Sequence, residues 1–162
     1  DMYDKKSEHP YFTEGIYDYL SIDGRSNLED KACDLFNVPL NKGSIGIEVC
    51  NWGQLIKKGN EYYNYVNKVV PENEVVQIKK FRGFEYYHKY NDAQIESLKK
   101  LVLELCAKHG ISKRYNSDMW DISTNALSGT NGIYTHVSYR ADKSDMSPQI
   151  NLIEMLKNLN NI

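Results

Sequence analysis

This 162-residue chain has no apolar run approaching the roughly 18 residues needed to span a bilayer. Its N-terminus also lacks the charged and apolar regions of a secretory signal. No membrane partner is expected, and a cytoplasmic location is. An excess of either charge is missing too. With 20 basic and 22 acidic residues the net charge is −2, which offers no electrostatic case for a nucleic-acid partner. Cysteine is scarce: Cys33, Cys50 and Cys106 are odd in number, widely spaced and without a Cys-x-x-Cys pattern. That excludes a disulfide framework and a structural zinc knuckle and fits a reducing compartment. Repeats and low-complexity tracts are absent, so residues 1–162 are read as one monomeric domain, long enough to bury a sizeable core. The chain begins at Asp1 rather than methionine, and removal, processing or omission of an upstream segment is expected.

What is present is ordinary in bulk, with 41% hydrophobic and 26% charged residues, but thirteen tyrosines stand out. Pairs such as Tyr62-Tyr63 and Tyr86-Tyr87 either line a groove for an extended polar ligand or form half-buried edges of the core. Tyrosine's apolar ring and wet hydroxyl favour the second. Ile16 to Ile22 alternates like a short strand closed by Asp23-Gly24, and Leu28 to Phe36 reads as a short helix before Pro39. Ser44 to Cys50 is a clearer strand, with Ile45, Ile47 and Val49 on one face and Gly46, Glu48 and Cys50 on the other. A mid-strand carboxylate at Glu48 is costly unless its face opens onto a polar cleft or lies at a solvent-facing edge. Asn51-Trp52-Gly53 follows as a loop, whose tryptophan either stacks on a sugar or caps the core.

Glu61 to Val70 reads as a tyrosine-rich linker or strand, Pro71-Glu72-Asn73 as a turn and Val75 to Ile78 as a strand. Asn91 or Asp92 caps a long helix whose apolar stripe is Ile95, Leu98, Leu101, Val102 and Leu105, and Gly110 ends it. His109, in its last turn, suits the helix C-terminus. Residues 116–131 read as a loop. Ser147 is expected to cap a final helix with Pro148 in first position and Leu152, Ile153, Leu156 and Leu159 on its buried side.

Between these lies the stretch from Gly132 to Pro148. Ile133 to Val137 is β-branched and aromatic enough for a strand that delivers His136 to its end, and a short polar loop then presents Lys143 and Asp145. Imidazole and carboxylate are ordinary ligands for a borderline cation such as zinc. A protonated lysine cannot be a ligand but can stabilise a developing oxyanion. The pattern is that of metal-assisted hydrolysis, set against the plainer reading of a polar loop with a salt bridge and a lone histidine.

Taken in order, these residues resemble the zinc-dependent N-acetylmuramoyl-L-alanine amidases, the fold shared by amidase-type phage lysozymes and peptidoglycan recognition proteins. The resemblance runs from about Asn41 to the C-terminus. It rests on Ser-Ile-Gly-Ile-Glu at 44–48 with Cys-Asn-Trp-Gly after it, Phe-Arg-Gly-Phe at 81–84, Asp-Ala-Gln-Ile-Glu-Ser-Leu at 92–98, Thr-His at 135–136 and Asp-Lys-Ser-Asp at 142–145. It implies an α/β fold with a mixed, mostly parallel central sheet flanked by helices and a zinc groove at one side of the sheet. It further implies that His136 and Asp145 are two of three zinc ligands, that Glu48 acts on the metal-bound water and that Lys143 steadies the tetrahedral intermediate. Asn51, Trp52 and Arg140 complete the set as substrate-binding candidates. The substrate implied is bacterial peptidoglycan, cut between N-acetylmuramic acid and L-alanine. The setting implied is a phage endolysin held in the host cytoplasm until its release to the wall.

One departure stands against this. The family carries a further histidine ligand at the end of an early strand, and no such motif precedes Ser44 here. Either the first strand lies outside this chain, or His9 takes its place, or zinc has been lost and the domain binds muropeptides without cutting them. His9 precedes a proline near the terminus, where an exposed histidine is the plainer reading.

Overall fold

A computed structural model describes residues 16–23 and 44–161, with side chains from residue 44 onward. The expected helix from Leu28 to Phe36, Cys33 and His9 lie outside the described residues.

The expected mixed, mostly parallel sheet is not what the chain builds. Strands β1 (Ile16–Asp23), β2 (Ser44–Asn51) and β8 (Gly132–Thr135) form a three-stranded sheet in the order β2-β1-β8. Strands β3 (Gln54–Lys58), β4 (Glu61–Tyr63), β5 (Val69–Val70), β6 (Val75–Phe81) and β7 (Phe84–His88) form a five-stranded sheet in the order β5-β4-β3-β7-β6. Every pairing among the described residues is antiparallel. For the hairpins of the five-stranded sheet the reason is connection length. A parallel pair needs a crossover of about a dozen residues or more, whereas short turns suffice for hairpins. Here Gly59-Asn60 alone joins β3 to β4, and Arg82-Gly83 alone joins β6 to β7. Glu61 to Val70, read as one linker or strand, is therefore two short strands, and Phe84 to His88 is a strand that the periodicity did not single out.

Helix α1 (Asp92–His109) opens on a reciprocal cap. Asn91 Oδ1 accepts from the Gln94 amide at 2.8 Å, and Gln94 Oε1 accepts from the Asn91 amide at 3.1 Å. Gly110 closes it at φ 65°, a left-handed position where a side chain is strained. Its buried line is Leu98, Val102 and Cys106, while Leu101 of the expected stripe is 42% exposed. Residues 116–131 are not one loop. They contain a 3₁₀ turn at Ser117–Trp120 and the single-turn helix α2 (Thr124–Leu127), capped by the Ser123 hydroxyl. Helix α3 (Ile150–Asn158) starts two residues later than the proline signal suggested, with Gln149 rather than Ser147 at its N-cap. Leu152, Met155 and Leu156 are its buried residues.

These helices cover β8, all of whose residues are buried, and share one core with it through Leu98, Val102, Ile133, Tyr134 and Leu152. The five-stranded sheet packs in two smaller clusters, one around Leu55, Tyr62 and Val70 and one in which Phe81 and Tyr87 meet Val137. A polar junction ties the parts together. The His88 carbonyl accepts from Asn51 Nδ2 at 3.1 Å and from Gln149 Nε2 at 2.8 Å, so the end of β2, the end of β7 and the start of α3 meet at one oxygen.

Candidate active site

The strand that delivers His136 is shorter than expected. It ends at Thr135, and His136 begins a 3₁₀ turn through Ser138. That turn is fixed from within. Thr135 Oγ1 and Ser138 Oγ both donate to the Met119 carbonyl, the second at 2.8 Å, and Ser138 Oγ accepts from the Thr135 amide at 3.2 Å. Thr135 and Ser138 are fully buried, so these bonds form where an unpaired hydroxyl would cost roughly 1–3 kcal/mol. The Thr-His-Val-Ser spacing carries the sequence signal for this capping box, which the strand pattern of Ile133 to Val137 masks.

His136 is brought to Asp145. Nδ1 stands 2.9 Å from Asp145 Oδ2, with the two side chains 21% and 17% exposed. Burial pushes the Asp145 carboxyl up, but the hydrogen bond and charge of His136, its backbone hydrogen bonding and the Lys143 ammonium together outweigh it and hold the group below its ordinary value. Lys143 is half-buried, and its amide donates to the Arg140 carbonyl at 3.3 Å in the turn between the two residues.

Glu48 is exposed on β2, which is an edge of the three-stranded sheet. Register relates it to His136. Glu48 pairs with Tyr19, and Leu20 pairs with Thr135. Strand β1 therefore lies between the strand that carries Glu48 and the strand whose last residue, Thr135, precedes His136. Imidazole, carboxylate and ammonium thus gather at the end of β8, with a second carboxylate across the sheet.

The three substrate-binding candidates stand apart from this group in different ways. Asn51 is 5% exposed, with Nδ2 given to His88 and Oδ1 accepting the Gly53 amide at 2.8 Å, so its amide serves the chain's own corner. Trp52 is half-buried against the Leu55 cluster, 6.0 Å from the Tyr65 ring, and its amide donates to His88 Nδ1 at 3.3 Å. Arg140 is exposed and forks onto Asp142 at 3.0 and 2.7 Å, which holds the Asp142 carboxyl below its ordinary value.

Imidazole, carboxylate and ammonium near one strand end are groups that acid–base and electrostatic catalysis can use. Residues 7–148 match the N-acetylmuramoyl-L-alanine amidase family, and the chain belongs to that family, whose members act on peptidoglycan. The match begins well before Asn41, where the resemblance by motifs started. No curated protein and no solved structure matches the chain significantly.

Proposed function

We propose that the chain hydrolyses the amide between the lactyl group of N-acetylmuramic acid and the L-alanine of the stem peptide, with zinc as its cofactor. The observation that carries this is the 2.9 Å approach of His136 Nδ1 to Asp145 Oδ2 within a family of amidases. A nitrogen and a carboxylate oxygen that converge in this way are a donor pair suited to zinc. Among the described residues no third histidine, cysteine, aspartate or glutamate joins them. Catalytic zinc sites normally use three protein ligands, so this pair needs one more to complete such a site.

Zinc held by His136 and Asp145 with a further ligand would supply an activated water near neutral pH and would polarise the scissile carbonyl. The chain's own groups do the rest. Glu48 takes a proton from the attacking water and returns one to the leaving amine. The Lys143 ammonium, beside Asp145, offsets charge developing on the carbonyl oxygen. Lytic use of this activity, as in a phage endolysin, belongs to the same reading.

Glu48→Gln keeps the size of the side chain and removes its basicity. Release of L-alanine amino groups from peptidoglycan is expected to fall by about 10²–10⁴-fold, with thermal stability unchanged. Parent-rate release by this variant would remove Glu48 from the mechanism. The incomplete ligand set among the described residues favours a second reading, a domain that binds muropeptides without cutting them. Saturable muropeptide binding by a wild-type chain that releases no L-alanine would establish that reading.

A further inference from the structure

The Phe81-Arg82-Gly83-Phe84 turn takes no part in the proposed chemistry, yet it meets the site loop at two points. Phe81 pairs with Phe84, and Arg82 (φ 49°) and Gly83 (φ 92°) close the hairpin in left-handed conformations that match the twist of its strands. On one side, Phe81 and Tyr87 pack on Val137, which is fully buried immediately after His136. The Tyr87 hydroxyl donates to the Phe81 carbonyl at 2.6 Å and fixes that wall. On the other side, the Arg82 guanidinium lies 5.9 Å from the centre of the Phe81 ring and reaches forward. Its Nη2 meets Asp121 Oδ1 at 2.9 Å, and its Nη1 donates to the Ala141 carbonyl at 3.3 Å.

Ala141 belongs to the turn in which the Lys143 amide bonds the Arg140 carbonyl, two residues before Lys143 and four before Asp145. Asp121 is 80% exposed, so the ion pair itself adds little stability and mainly aims the guanidinium. The planar fork of arginine serves two acceptors at once, which a lysine ammonium does with less geometric control. We propose that Arg82 is a positioning residue for the amidase reaction: by holding the Ala141 carbonyl it sets where the Lys143 ammonium stands relative to His136 and Asp145. This rests on the role given to Lys143 above.

The test uses Arg82→Ala and Arg82→Lys with three readouts. Amide hydrogen exchange at residues 140–145 is followed without metal or substrate, thermal unfolding is recorded, and kcat and KM are measured on a soluble muramyl peptide. Arg82→Ala is expected to speed exchange at the Lys143 amide about tenfold without a matching loss of global stability. It should lower kcat about tenfold with KM within about twofold, and Arg82→Lys should restore part of both. Unchanged exchange at 140–145 would overturn the proposal. So would a fall in kcat that only tracks global unfolding, or a rise in KM with kcat intact. Wild-type protein inactive on muramyl peptides would overturn the functional reading, and the exchange measurement would still decide whether Arg82 holds the loop.

Discussion

Strand β8 is buried at all four of its positions, whereas β3, in the other sheet, buries Leu55 and exposes Ile56, Lys57 and Lys58. The cores on which these two strands rest differ in the same sense. The helices pack on β8 and give it a continuous core, while the five-stranded sheet forms small clusters between short hairpins and leaves Ile56 and Val69 more than half exposed. Charge divides in the same way: residues 54–89 hold seven basic and four acidic side chains, a net +3 in a chain of net −2. The large core anchors His136 by sealing β8, the strand before it. The hairpin sheet only leans on the site, through Val137 and Arg82, so its contribution is orientation rather than foundation.

The sharpest way to break this comparison is to open each core in turn. Leu152→Ala removes a fully buried side chain from the large core and is expected to cost about 2–5 kcal/mol, read as a shift in the denaturant midpoint of the whole domain. Leu55→Ala, at 2% exposure, empties part of a three-residue cluster that has more freedom to close. Its cost is expected near the lower end, about 2 kcal/mol, with faster hydrogen exchange confined to β3, β4 and β5. Equal costs, with exchange spread into α1 and β8, would mean that the two sheets share one core after all.

Smaller effects sharpen the picture at α1, which covers β8. Asn91→Ala removes the cap on the Gln94 amide and is expected to lower stability by about 1 kcal/mol in thermal unfolding. A loss below a few tenths would mean that solvent satisfies that amide equally well. Smallest is a pH effect at Cys106. Burial pushes its thiol up, ahead of a weaker lowering by Lys113, so at alkaline pH the unfolded chain releases the proton before the folded one. Its contribution is therefore full below the ordinary thiol value near 8.5 and is lost as pH rises through the folded value. Denaturant midpoints of wild type and Cys106→Ala at pH 7 and 10 should show a shallower decline in the variant. Parallel declines would place the alkaline sensitivity elsewhere.

The approach of His136 to Asp145 in the candidate site was legible because its signals are local. Strand composition and a nine-residue spacing were enough to bring His136 and Asp145 into one place, and alternation put Glu48 and Cys50 on the exposed face of β2. The long helix was legible from Asn91 and Gly110, which mark its ends by cap chemistry alone. Strand direction was not legible, because each hairpin strand is only two to seven residues long and a short apolar run carries no sign of parallel or antiparallel pairing. The tyrosines illustrate the same limit. Tyr86 is half-buried but Tyr62 is buried, their rings 5.1 Å apart, and that Lys57 lies over both rings depends on cross-strand register. That Asn51 braces a corner of the chain is equally non-local, since its partner, the His88 carbonyl, is 37 residues away.

The central claim is that His136 and Asp145 together form the reactive centre of an amidase. It is tested most directly by counting L-alanine amino termini released from purified peptidoglycan by zinc-supplied protein, wild type against Asp145→Ala. The account predicts release by the wild type and a fall of at least about a hundredfold in the variant, with the domain still folded. Release at the parent rate by Asp145→Ala would contradict it.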